Sequence, residues 1–219
     1  MKKSILLAAI AVVASLTVIT TAKAQKGIYA GAQGVAQINI MFNESDANKP
    51  GADYKSKLGT SFGLSGGYNF TKNMGVGVEV MYSTMKQKYS DNTTRFTQRF
   101  DYLKIPVVFT YNSNPDRKFM FTAKAGPQLG ILLKSDISKA SDPKLNGNVK
   151  SQYEKLTLGA MIGTGVRMRL TEKMVLDAGV RFDGSFTNTE KKNHHGYNTG
   201  RTSSHDINAG LEMGIKYFF

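Results

Sequence analysis

The 219-residue chain contains no cysteine and no tryptophan. Without cysteine there is no disulfide framework, no thiol nucleophile, no thiolate zinc site and no lipidated N-terminal Cys. Three histidines are too few for a rich metal centre. Proline is sparse, with 5 residues against 22 glycines. Acidic residues are also in deficit: 16 Asp and Glu face 29 Lys and Arg, a formal charge of +13. After residue 24 no stretch approaches the roughly 18 consecutive apolar residues of a spanning helix. The apolar fraction is nevertheless 41%, which argues against disorder.

The first residues read as an export signal. Lys2 and Lys3 precede an uncharged run from Ile5 to Ile19, and Ala22-Lys23-Ala24 supplies the small residues that a signal peptidase reads. Cleavage is expected before Gln25, leaving residues 25–219 as one domain after a 1–24 signal peptide. The alternative is an uncleaved anchor helix. Cleavage removes Lys2, Lys3 and Lys23 and lowers the net charge from +13 to +10. An exported chain with no further helical span is either soluble beyond the inner membrane or a β-barrel in the outer one.

The remainder alternates with a period of two. Ile207, Ala209, Leu211, Met213, Ile215, Tyr217 and Phe219 are interleaved with Asp206, Asn208, Gly210, Glu212, Gly214, Lys216 and Phe218. Strand spacing puts the charges on one face, whereas helical spacing scatters them. Similar segments cover about 27–42, 57–70, 74–88, 96–112, 119–134, 153–170 and 174–186, which makes eight with the last. Thr71-Lys72-Asn73, Asn112 to Lys118 and Thr171-Glu172-Lys173 are short connections. Residues 43–56, 89–95, 135–152 and 189–203 are mostly longer loops, rich in Asn, Ser, Asp, Lys and Gly. Short turns at one end and long loops at the other are the layout of an outer-membrane barrel, with the short turns periplasmic.

Alternation alone also fits a soluble barrel with an apolar interior. Two features favour apolar outside. Gly59, Gly63, Gly67, Gly75, Gly77, Gly126, Gly130, Gly159, Gly163, Gly165, Gly179, Gly210 and Gly214 all share the polar face. Glycine weakens a strand, so this clustering needs a spatial reason, and a narrow lumen supplies one. Aromatic residues form two belts. Tyr68, Phe70, Phe109, Tyr111, Phe119, Phe121, Tyr217 and Phe219 lie near the short turns or the C-terminus, and Phe42, Tyr82, Phe182 and Phe186 lie near the long loops. The fold class expected is all-β: an eight-stranded antiparallel up-and-down transmembrane β-barrel. Its lumen is expected to hold Glu79, Lys104, Lys124, Arg167, Arg169, Asp177, Arg181, Asp183, Glu212 and Lys216, six positive charges and four negative. Buried unpaired charge is expensive, so these should pair across strands and fill the shaft. A narrow, anion-leaning path is the alternative. Pro106 predicts a bulge within its strand, and Phe96, Phe100 and Leu103, which do not fit one alternation, suggest a slip of register there.

The segments "YLKIPVVF", "AGPQLGILL", "GAMIGTGVRMRL", "LDAGVRF" and the terminal "GIKYFF" resemble the PorT-type outer-membrane β-barrel domain across roughly 27–219. The resemblance implies the barrel fold and an outer-membrane location. It also implies that Phe219 is the terminal aromatic recognised by barrel-assembly machinery. The named family member takes part in protein secretion, a role that no residue here specifically marks.

Three function classes follow. A structural or surface-interaction barrel would contact outer-membrane lipids. Its basic rims, at Lys86, Lys88, Arg95 and Arg99 and at Lys134, Lys139, Lys144, Lys150 and Lys155, could attract lipopolysaccharide phosphates. A solvated loop surface explains the same residues. A component of a secretion machine is the second class, although the short turns cannot hold a partner-binding domain. A lipid-modifying enzyme is the third, with Glu190, His194, His195, Ser203, Ser204 and His205 clustered near the last loop. Flexible loop sequence is a poor frame for such chemistry, so no catalytic role, no metal and no cofactor are expected. Nucleic-acid binding does not suit an exported barrel whose aromatics are committed to belts. A monomer is expected.

Overall fold

The computed structural model describes residues 26–43, 53–90, 94–114, 116–192 and 202–219; the expected signal peptide and cleavage site lie outside them. The strands are β1 (Gly27–Asn43), β2 (Asp53–Asn69), β3 (Met74–Ser90), β4 (Arg95–Asn112), β5 (Phe119–Ser138), β6 (Gly147–Asn148), β7 (Leu156–Arg169), β8 (Met174–Ser185) and β9 (Ser204–Phe218). Every pairing is antiparallel. Each long strand pairs with its neighbours in sequence, and β1 pairs with β9 to close the ring. The two-residue β6 only extends the outer end of β5. The fold is an eight-stranded up-and-down barrel, as the alternation implied. Closure leaves no strand edge, the condition for a sheet in hydrocarbon, where unpaired N–H and C=O groups find no water.

Two of the short connections use the same device. The N–H groups of Asn73 and Met74 donate to the Thr71 hydroxyl at 3.2 and 2.9 Å. Those of Lys173 and Met174 donate to Thr171 at 3.2 and 3.0 Å. A threonine side chain thus stands in for a backbone acceptor and fixes each turn. The Lys72 ammonium hydrogen bonds to Asp116 at 2.8 Å, joining the β2–β3 and β4–β5 turns and holding the Asp116 carboxyl below its ordinary range.

The faces are inverted relative to a water-soluble protein. Leu58 (68%), Phe62 (60%), Leu64 (65%) and Leu211 (68%) are exposed, while Glu79 (1%) and Arg181 (3%) are buried. A band of such residues circles the wall, with Tyr68, Phe109, Tyr111, Phe119 and Phe121 exposed at the short-turn end. The glycines let the wall close on a thin shaft. Gly165 and Gly179 face each other across β7 and β8, and a Cβ on Gly179 would stand 2.8 Å from Gly165 Cα. The Tyr29 hydroxyl lies 2.6 Å from where a Gly67 Cβ would be, so the ring covers bare backbone.

Two details differ from expectation. Pro106 pairs with Gln128, and although pairs lapse beside it at Val107 and Val108 the register resumes unchanged at Phe109, so it makes no bulge. The register shift lies at Asp101/Tyr102, where Leu133 is the extra residue on β5. This is the slip that Phe96, Phe100 and Leu103 suggest: it falls between Phe100 and Leu103, where Phe100, Asp101 and Tyr102 are all buried in succession. β7 begins at Leu156 rather than 153, because Tyr153 leaves the strand to pack over the mouth.

The absence of native cysteine makes orientation directly testable. With Lys144→Cys, a membrane-impermeant maleimide should label intact cells. With Asp116→Cys it should label only after the outer membrane is opened. The reverse pattern would place the short turns outside.

Candidate functional site

The lumen is filled in layers. At the short-turn end Tyr29, Val175 and Phe218 form an apolar floor. Above it Arg167 grips Asp177 with two hydrogen bonds of 2.6 and 2.8 Å, and Lys216 reaches the same carboxylate at 3.0 Å. The Lys216 ammonium also lies 5.1 Å from the Tyr29 ring centroid, where the ring's negative face attracts it.

The next layer is a square of charges. Lys124 bridges Glu79 and Glu212, each at 2.7 Å. Arg181 closes the other side, at 2.6 Å to Glu79 and 3.2 Å to Glu212. Arg181 continues upward to Asp183 at 3.5 Å, and Lys104 pairs with Asp183 from the opposite wall. Asp206 stands 3.9 Å from Lys104, and the Asn208 amide donates to both Asp183 (3.0 Å) and Asp206 (2.9 Å). The stack draws on β3, β4, β5, β7, β8 and β9, and alternate residues of a strand share a side, which is why Asp177, Arg181 and Asp183 on β8 point into it together.

Above the charges sits an apolar lid of Met85, Phe100, Tyr102 and Leu132, with Met41 and Tyr153 packed against it. The Tyr153 ring meets Phe100 edge-on at 4.8 Å and accepts a 2.7 Å hydrogen bond from the Gln98 amide. The β5–β7 and β8–β9 loops are laced together here, with Glu154 N–H donating to the Thr189 carbonyl at 2.9 Å. Two cavities beside the ion pairs measure about 20 and about 10 Å³, each with room for about one water molecule.

Nine of the ten predicted lumen charges meet in this network. Arg169 does not stand with them; it ends β7 at the short-turn rim, where its charge acts on Asp116. Asp206 joins instead, although it was not counted. Five cations thus face five anions in the stack, and the six-to-four excess behind an anion-leaning path is gone. The apolar floor and lid were also missed. Their signal was present: Phe100 and Tyr102 share parity with Lys104, and Phe218 shares it with Lys216. Phe219 carries its N–H to the Ile28 carbonyl at 3.1 Å and packs edge-on against Tyr217 at 5.2 Å.

Among the described residues the loop cluster does not bring a serine hydroxyl to a histidine ring. Ser204 points inward and donates to Glu190 at 2.9 Å, whereas the adjacent His205 faces the outer wall, its Nδ1 3.2 Å from the Ser185 carbonyl. Neighbours on a strand face opposite ways, so these two cannot pair. Ser203 is exposed, and His194 and His195 lie outside the described residues. Among the described residues no group of acidic and histidine side chains could hold a metal ion.

An apolar, lipid-facing wall around an ion-paired, charged interior defines a transmembrane β-barrel. Solved structures agree on the architecture. Neisserial surface protein A is 16% identical, with a TM-score of 0.53 over 89% of this chain and 98% of its own. OprG from Pseudomonas aeruginosa is 13% identical, with a TM-score of 0.56 over 90% and 98%. AlkL, solved in lipid bilayers, is 14% identical, with a TM-score of 0.51 over 92% and 94%. No curated protein sequence matches the chain. The model of the outer membrane protein beta-barrel domain matches residues 22–165, and the chain belongs to that family. It is an outer-membrane β-barrel protein.

Arg181 is the node of the network, so Arg181→Gln should destabilise the barrel by ~3–5 kcal/mol, because Glu79 and Glu212 then share Lys124 alone. Adding Glu79→Gln should recover part of the loss. With no tryptophan present, denaturant unfolding is followed by circular dichroism. An unchanged midpoint in Arg181→Gln would show that the stack is not holding the fold.

Proposed function

We propose that this is a non-catalytic structural barrel that acts through its outer surfaces, with a lumen that does not conduct. The observation that carries this reading is the sealed stack: matched charges between two apolar plugs. A conduction path would need water-filled space along the axis, and the measured cavities beside the ion pairs hold about one water each. The separation of Ser204 from His205 supports a role without catalysis. Outer-membrane lipids and lipopolysaccharide are the partners proposed for the wall and rims. Barrel-assembly machinery is the partner proposed for Phe219, and a monomer is the proposed state. Service in a PorT-like secretion machine is the second reading, favoured only by the sequence resemblance.

In planar bilayers the purified mature chain should give no discrete current steps. Arg181→Ala combined with Lys104→Ala should introduce them, by removing two charges that bridge the shaft. Steps in the wild type would overturn the closed-lumen reading. Deletion of the gene should leave the profile of secreted proteins unchanged; loss of a defined subset would favour the secretion machine.

A further inference from the structure

We infer that a cationic recess on the outer wall, formed by Lys57, Lys86 and Lys139, binds the phosphate of an outer-leaflet glycolipid of the lipid A class. The inference rests on the proposed surface role and gives it a site. The recess encloses about 550 Å³ and is also lined by Thr97, Arg99 and Ser138. Lys57 is directly opposite Lys86, and Lys86 is directly opposite Arg99. Like charges in facing positions across a sheet destabilise it; Arg99 has Asp101 as its counter-charge, so it is the Lys57–Lys86 pair that calls for an anion beside it.

The nearby carboxylates are already engaged. Asp101 holds Arg99 through hydrogen bonds of 2.8 and 3.0 Å and accepts another from the Tyr82 hydroxyl at 2.9 Å. Asp136 is 2.6 Å from Lys134. Lys57, Lys86 and Lys139 have no acidic partner among the described residues.

The backbone is bent to bring them together. Counting in twos from the lumen-facing Gly59 and Ser61 aims Lys57 into the shaft. The extra residue between Lys57 and Thr60 turns it to the wall instead, opposite Lys86. A β-bulge commonly re-aims a side chain in this way. The second bulge, at Asp101/Tyr102, sets the register that places Ser138 beside Thr97. Lys139 has φ +56°, a left-handed conformation that an ordinary side chain adopts at a cost.

Position selects the ligand. The exposed Leu58 lines the recess itself, and the exposed Phe62, packed on Tyr82 at 5.4 Å, follows it along β2 toward the short-turn end. These belong to the apolar wall and its upper aromatic belt. A group seated against them carries acyl chains downward and negative charge upward, as a phosphorylated lipid does and a free anion does not.

The test uses the full mature chain in neutral detergent, with bound lipid counted by native mass spectrometry. The probes are diphosphoryl lipid A, lipid A stripped of phosphate, and inorganic phosphate. Lys57→Gln/Lys86→Gln/Lys139→Gln should weaken diphosphoryl lipid A by about tenfold or more, each charge near the surface contributing a share. A charge-matched control, Lys72→Gln/Lys118→Gln/Lys173→Gln at the periplasmic rim, should bind like the wild type. Dephosphorylated lipid should bind weakly and equally to all three proteins, and millimolar inorganic phosphate should not displace the lipid. All substitutions are on side chains outside the lumen, and heat-modified gel migration verifies each barrel; the single variant Lys86→Gln, with a smaller loss expected, serves if the triple variant fails to fold. Equal loss in both triple variants, no loss in either, or displacement by inorganic phosphate overturns the site. Those results leave the closed-lumen reading standing, since bilayer current tests it separately.

Discussion

A ring of eight strands encloses too narrow a shaft for an ordinary hydrophobic core. The apolar faces that would bury one another in a soluble protein are turned to the lipid, and the polar faces must hold the inside together. A dry interior makes each unpaired charge cost several kcal/mol, of the order of the whole stability of a domain. The contents of the shaft are therefore constrained by charge balance and by contact. Each carboxylate of the stack touches at least one cation, and Arg181 ties Glu79, Glu212 and Asp183 into one unit across two layers. The glycines follow from the same constraint, because arginine and lysine of this length fit only where facing positions have no side chain.

The parts of this arrangement that the sequence discloses are those set by periodicity. Strand number, turn positions and the identity of the lumen face follow from alternation, since a pleated strand has only two sides. Nine charges could be assigned to the shaft on parity alone. Parity gives the side but not the height, and Arg169 is the result: right face, wrong end. Phe100, Tyr102 and Phe218 were hidden for a related reason. A rule that sends apolar residues to lipid has no term for plugging a pore. Pro106 misled because proline implies a lost ladder bond, and it sits where the pairing register continues past it without a shift. Tyr153 was read as strand because its role depends on Phe100, far away in sequence, and no local pattern carries that contact.

The charges inside and those on the outer wall obey different rules. In the shaft, five cations and five anions satisfy one another. At the outer end of β2–β5 the lysines exceed the carboxylates, and both sheet bulges fall beside them. Similarity to OprG or to Neisserial surface protein A below 25% identity conveys the fold and nothing of these side chains. What distinguishes this barrel from others of its architecture has to be sought where its own residues depart from the needs of the fold. The interior departs little. The wall departs at Lys57, which a bulge turns outward, and at Lys139, whose backbone is held in a conformation that glycine would adopt freely.

The same energetics bear on whether the shaft could open. Swinging Arg181 aside breaks its contacts with Glu79, Glu212 and Asp183 together, and even one such rupture costs about 3–5 kcal/mol. A cost of that size leaves the open form at roughly one part in a hundred to one in several thousand, before the lid at Met85, Phe100, Tyr102 and Leu132 is displaced. The lid is held separately, by Tyr153 from a loop that is itself laced to its neighbour. A ligand that opened such a shaft would need to repay both costs from contacts made only in the open state. The residues that face outward are already presented, at no conformational cost, to whatever lies in the outer leaflet. On energetic grounds, the proposed interaction at the wall asks no rearrangement of the resting molecule, whereas transport through the lumen would require the ion-pair stack to be broken.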